Sequence, residues 1–313
     1  DAPTTSFTAA PDLLVAGTNR WERSTEWSAM DHVRLSDTWQ AWVGARHTRL
    51  DRRSERTDGT EVSRIDQAMT TPWVALGWQF APQTQAYLSW GQGLEQNKAP
   101  SSTTVSNPGQ ILAAARSRQT ELGVKGQYRH GAVSAQWGGN LFVTDRPVAD
   151  VVSNSYQYDG RALHRGLEGF WQGRTGPWAL AASAMLLDAE RRDSATASLN
   201  GKEPVNVPRQ TVKLSGSHTW AAPLPLTLQL DLIHEGRRAV TDDNSVHLPS
   251  WTRTDLSLRA LQSIGTKQHI TWRLAVHNLF DIRAWRESPK EFGHYYLFPM
   301  ARRTVTASAQ IDF

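Results

Sequence analysis

The chain has 313 residues, 39% hydrophobic and 20% charged, with a formal net charge of +4 and no cysteine. At a mean hydropathy of −0.51 it lacks any run of the roughly 18 apolar residues a membrane-crossing helix needs; a membrane barrel stays open, since its strands are apolar on one face only. The absent cysteines exclude disulfides and thiolate metal ligation, and Lys and Arg are too dispersed for a nucleic-acid-binding stretch.

The opening DAPTTSFTAAPDLL has no basic-then-apolar leader pattern, so the chain is expected to be mature or to continue upstream. Alternating segments follow. WSAMDHVRL turns at Ser36-Asp37 into WQAWVGARHTRL, PWVALGWQF turns at Ala81-Pro82-Gln83 into TQAYLSWGQ, and QTELGVKGQY turns at Arg129-His130-Gly131 into AVSAQWGGNLFV. LHRGLEGFW, RQTVKLSGSHTW and WTRTDLSLRAL open three further hairpins, turning through GRTGP, AAPLP and QSIGTKQ. The closing TVTASAQIDF sets Val305, Ala307, Ala309, Ile311 and Phe313 on one face and Thr304, Thr306, Ser308, Gln310 and Asp312 on the other. A period of two marks a strand.

Six hairpins and a closing strand predict about thirteen strands, each of roughly the 9–11 residues that cross a bilayer at a tilt. The turns are short and rich in Asp, Gly and Pro, whereas the other connections, around 51–71, 93–117, 145–161, 190–208, 236–249 and 283–297, are long and polar. Loop length sorted by end is the asymmetry of an outer-membrane barrel. Charge on the second face agrees: Glu121, Lys125, Glu168, Asp231, Arg253, Asp255 and Arg273 would each cost several kcal/mol in a dry sandwich core unless paired. A wet lumen removes that cost. Trp27, Trp39, Trp78, Trp137, Trp171, Trp178, Trp220 and Trp251 fall at or near predicted strand ends, as an interfacial aromatic girdle requires. The fold class expected is therefore all-β, a transmembrane antiparallel up-and-down barrel. A secreted soluble β-rich module that stacks sugars on its Trp is the alternative from another class.

The last strands carry a resemblance. Asn278-Leu279-Phe280-Asp281, then Tyr295-Tyr296, Pro299, Arg302-Arg303 and Phe313 resemble the C-terminal end of TonB-dependent outer-membrane receptors of the ferric-siderophore branch. RQTELGVK (118–125), RGLEGFW (165–171) and LSDTWQAWVGARH (35–47) are similar to inner strands of that family. The resemblance implies a barrel of about 22 strands around an N-terminal plug, of which this chain, residues 1–313, is expected to be the C-terminal portion, without the plug and with about nine strands missing. It also implies a place in the outer membrane of a Gram-negative bacterium, among lipid and lipopolysaccharide. The implied partners are a ferric siderophore, a TonB–ExbB–ExbD complex reached through the missing N-terminal region, and an outer-membrane assembly machinery that reads Phe313. No cofactor is implied, and iron enters only as part of a bound siderophore.

No enzyme is expected. HEGRR (234–238) lacks the second His of a zinc-protease motif, the ten His lack metal-ligand spacing, and WGGN (137–140) lies within a strand rather than in a phosphate-cradling loop. If the resemblance holds, the ligand site lies in the outer loops, where Arg and aromatic side chains suit large, often anionic chelates through charge, hydrogen bonding and stacking. The candidates are Tyr156, Tyr158 and Arg161 in one loop, Arg237 and Arg238 in another, and Trp285, Arg286, Tyr295 and Tyr296 in the last. A haem receptor is the rival within the family. Its Phe-Arg-Ala-Pro and Asn-Pro-Asn-Leu boxes are matched here only by the Ala-Pro of LEQNKAP and the Asn-Pro of NPGQIL, which favours a siderophore.

Overall fold

The computed structural model describes residues 18–100, 105–265, 268–291 and 294–312. Phe313, and any role for it in assembly, lies outside the described residues. The strands are β1 (Thr18–Arg34), β2 (Trp39–Arg56), β3 (Glu61–Ala81), β4 (Thr84–Glu95), β5 (Ala115–His130), β6 (Val133–Val152) and β7 (Ser155–Thr175). They continue with β8 (Trp178–Arg192), β9 (Gln210–Trp220), β10 (Leu226–Glu235), β11 (Arg238–Ala239), β12 (His247–Leu248), β13 (Trp251–Ser263) and β14 (His269–His277). Four short pieces, β15 (Trp285–Glu287), β16 (Lys290–Glu291), β17 (His294–Tyr295) and β18 (Phe298–Pro299), precede β19 (Thr304–Asp312). Thirteen of these form one antiparallel sheet in the order β1 to β10, then β13, β14 and β19. Each long strand pairs with its neighbour in sequence, as expected of an up-and-down meander.

Cross-strand register fixes the two faces. Leu76 pairs with Leu88, Leu88 with Leu122, Leu122 with Leu141, Leu141 with Leu167 and Leu167 with Leu186. This row of leucines crosses six strands. Leu88, Leu122, Leu141 and Leu186 are each at least half exposed, an arrangement that is stable only against lipid. One residue along, the pleat presents the opposite face: Tyr87, Gly123, Asn140, Glu168 and Met185 form the matching row. There Asn140 donates to Glu168 at 3.1 Å, and the Lys125 ammonium lies 5.4 Å from the Tyr87 ring centre. The predicted inward charges thus face a polar wall.

Trp39 and Trp78 stack at 5.7 Å beside the first two short turns, and Trp178 and Trp220 flank His218 beside two later ones. Together they form the girdle at the turn end. Two tryptophans depart from that scheme. Trp27 lies in the middle of β1, and Trp251 is buried at the loop end.

Two expectations about loops are corrected. The stretches 51–71 and 145–161 are mostly strand, ending in a turn at 57–60 and a two-residue turn at Ser153-Asn154. Paired strands therefore reach 21 residues rather than 9–11. Beyond the bilayer both faces are wet, so the apolar alternation stops while the backbone ladder continues. Cross-strand ion pairs replace it: Arg52 with Glu22 at 2.9 Å and Arg49 with Asp66 at 2.8 Å. Among the described residues β1 pairs only with β2, and β19 only with β14, so the sheet is open.

Candidate ligand site

Six connections leave the sheet at the end opposite the short turns; 193–209, 236–250 and 278–303 are hydrogen-bonded to one another, and 96–114 is hydrogen-bonded to the β6–β7 hairpin. The apolar core lies here rather than in the wall, with Ala99, Val105, Ile111, Val240, Leu248 and Met300 all buried. Asparagines stitch the layer. Asn107 both accepts from the Tyr156 N–H (2.8 Å) and donates to its carbonyl (2.9 Å), imitating a strand partner. Asn206 accepts from the Ser288 N–H (2.9 Å) and from Arg238 (3.2 Å), joining three connections at one oxygen.

A bulge in β7 sets the charged interior. The β6–β7 register shifts between Pro147 and Ala149, opposite Asp159-Gly160. Gly160 has φ +68°, and a Cβ there would sit 2.2 Å from the Arg192 carbonyl oxygen, so glycine is required. The bulge turns Asp159 inward, where it accepts from Ser194 Oγ (2.5 Å), the Ala195 N–H (2.8 Å) and Arg191 (2.9 Å). The buried Arg191 also reaches Asp150 at 2.8 Å. Lys290 Nζ lies 3.6 Å from Asp150 and 2.6 Å from Asp242, and the Tyr295 hydroxyl donates to Asp242 at 2.8 Å. Burial alone would lower the Lys290 pKa, but Asp242 and Asp150 outweigh it and hold the ammonium above its ordinary value. Burial, followed by the Asp242 hydrogen bond, raises the Tyr295 phenol.

This chain of charges borders a cavity of about 820 Å³, which Arg20, Lys98, Tyr156, Val148 and Val205 also line. It has the size and mixed apolar and polar lining of a small-molecule site. It can bind and orient a polar ligand.

Residues 1–279 match the family model described as TonB dependent receptor-like, beta-barrel. The chain belongs to the TonB-dependent receptor family. It is accordingly an outer-membrane protein of a Gram-negative type, in a family of receptors rather than enzymes. It is 28% identical over 261 residues to the ferrichrome receptor FcuA of Yersinia enterocolitica, covering 82% of this chain and 33% of that protein. In fold it is similar to BauA, the ferric preacinetobactin receptor of Acinetobacter baumannii (TM-score 0.74, 24% identity, 95% of this chain and 44% of that one). It is also similar to FyuA, the ferric yersiniabactin uptake receptor of Yersinia pestis (TM-score 0.70, 18% identity, 95% of this chain and 47% of that one). The chain therefore spans about a third of the curated relative and under half of these receptors.

Within this TonB-dependent barrel the predicted ligand residues separate. Tyr156 and Tyr295 meet at the cavity. Tyr158 donates to the Ala113 carbonyl at 2.7 Å, and Arg161 bridges Asp145 and Asp193 at 2.7 Å each. Arg238 is buried between Glu235 and Asn206, while Arg237 is exposed, 3.9 Å from Glu203. Arg286 pairs with its neighbour Glu287, and Trp285 and Tyr296 are exposed outside the cavity. Sequence reasoning passed over Arg20, Lys98, Asp150, Arg191, Asp242 and Lys290. The Asp-Gly pair at 159–160 gave no separate signal, because it falls in the stretch 145–161 that reads as a loop.

Proposed function

We propose that this chain is part of an outer-membrane receptor that binds a ferric siderophore outside the cell and imports it with energy supplied through TonB. The observation that supports this most is the loop-end cavity, charged and aromatic, sitting above a polar inner wall in a barrel of this family. The names of the relatives, each a receptor for a ferric chelate or ferrichrome, support the same cargo class. Iron arrives within the chelate, and the protein needs no cofactor of its own. The open edges β1 and β19 are closed by further strands of the whole protein, because unpaired backbone is not stable in lipid. A plug inside that barrel carries the contact with TonB, and an assembly machinery inserts it.

Uptake of radioactive iron tests this reading. A strain lacking the gene should lose import of one or more ferric siderophores and regain it with the wild-type gene. Retained siderophore import, or loss of haem use alone, would overturn it in favour of the haem alternative or another cargo.

A further inference from the structure

The inner wall changes character along its height. Midway, Lys125, Glu168, Lys213 and Glu235 line one recess, so both signs of charge are present. Beside the short turns the charge is of one sign. Arg174 on β7, Arg259 on β13 and Arg273 on β14 line a cavity of about 550 Å³ together with hydroxyls that include Ser217, Thr227 and Ser308.

Strand register brings these arginines together. Arg174 shares a row with Ala179, Ser217, Gln229 and Ser257. In the next row toward the turns, Thr227 stands opposite Arg259, Arg259 opposite Arg273, and Arg273 opposite Ser308. Leu258 and Leu274, one residue along each strand, pair on the lipid face, so Arg259 and Arg273 point into the lumen. Side chains directly opposite across an antiparallel pair stand about 4.5–5.5 Å apart at Cβ, where like charges repel.

The lining is rich in donors, because guanidinium groups only donate and hydroxyls donate as readily as they accept. Among the described residues no carboxylate lines the cavity. Asp312, the inward acid of β19, accepts from Gln310 at 2.9 Å, and Arg273 reaches the Gln310 amide oxygen at 3.4 Å. A carboxylate placed between two guanidiniums turns their repulsion into paired, charge-assisted hydrogen bonds. Lipid cannot reach this face. Polypeptide can: the chain spans under half of the receptors it resembles in fold, and the remainder is long enough to enter the lumen.

We propose that Arg259 and Arg273, with Arg174 beside them, form an anion site at the turn end of the lumen that docks an Asp or Glu side chain of the receptor's own lumen-filling portion. The proposal rests on the plug in the reading above and fixes the place and polarity of one of its contacts. Arginine stands on the wall and the acid on the plug.

A photocrosslinking residue in place of Arg259, in the full-length receptor in outer membranes, tests this directly. Mass spectrometry should find the captured peptide N-terminal to residue 1 of the same chain, with Asp or Glu in it. Capture of another protein, of a peptide within 1–313 or of one without an acid, or no capture, would overturn the docking. A second arm reads the charge itself. In the Arg259→Gln, Arg273→Gln receptor, protease should cut the lumen-filling portion roughly tenfold faster, the worth of one charge-assisted contact. Added salt should speed cleavage of the wild type but not of this variant, and Arg259→Lys with Arg273→Lys should restore the slow, salt-sensitive state. Equal cleavage rates in wild type and the Gln variant at all salt concentrations would overturn the anion site. The iron-uptake assay is independent of either arm, so the receptor reading stands or falls separately.

Discussion

Asn278 Nδ2 donates to the carbonyl of Ala301 at 2.9 Å, joining the first residue of the last loop to the residue that leads back into the closing strand. The same amide donates to the Ile282 carbonyl at 3.0 Å and accepts from the Ile282 N–H at 2.8 Å, while its backbone N–H donates to Asp255. Asn278 is buried and has φ +54°, a conformation Asn tolerates better than most residues. The Asn-Leu-Phe-Asp box is therefore a clamp that closes a loop spanning 278–303 at its base.

Asn278→Gly keeps the backbone conformation but removes the three side-chain hydrogen bonds to Ile282 and Ala301. It should cost about 1 kcal/mol per hydrogen bond lost. Limited proteolysis of the receptor in outer membranes should show new cleavage within 283–299, and resistance equal to wild type would refute the clamp.

Asp281 gives the clamp a pH dependence. The Arg302 hydrogen bonds, then the Arg303 N–H, hold its carboxyl well below the usual carboxylate range. A folded-state pKa below the unfolded one contributes stability above the unfolded value, about 3.9, and loses it as pH falls through the lower folded value. The loop should therefore become protease-sensitive only in strong acid, below about pH 4. Asp281→Asn should remove that acid step and leave the loop looser at neutral pH. An identical acid profile in the variant would exclude Asp281 as the titrating group.

Gly160→Ala should disturb the charged interior that borders the cavity. A Cβ facing the Arg192 carbonyl at 2.2 Å cannot be accommodated without moving the bulge, and with it Asp159. Cleavage in the 193–209 connection should rise and the heat-denaturation temperature of the barrel should fall. An unchanged denaturation temperature would show that the bulge is dispensable.

Sidedness follows from the last strand. Asp312 pairs with His269, the first residue of β14, so β19 runs from the loop layer to the turn end. If the turn end is periplasmic, cysteines at the exposed Ser153 and Ser198 should react with an impermeant maleimide on intact cells. Cysteines at the exposed Ser36 and Gly131 should stay protected until the outer membrane is opened. Ser194 and Ser288, attractive from loop position alone, are buried and unsuitable. Labelling of the turn set on intact cells would invert the topology.

The barrel's strands and their order were legible in the residues because alternation is a local signal. A strand between lipid and water must repeat every two residues, so thirteen strands and the short turns could be counted without coordinates. The terminal box was equally visible because its four residues stand together in sequence, whereas its partners Asp255, Ala301 and Arg302 were not legible from it. The stretches 51–71 and 145–161 were misjudged as loops for the complementary reason. Above the membrane the ladder is held by backbone and ion pairs, which impose no apolar period.

The candidate cavity was a matter of tertiary structure alone. Lys98, Asp150, Arg191, Asp242 and Lys290 lie in five separate segments, and each is an ordinary polar residue in its own neighbourhood. Which of them pair depends on a bulge at Gly160 and on asparagines that bind loops distant in sequence. Local periodicity carries no information about contacts of that range, because they are chosen by shape and charge only after the chain has been brought together.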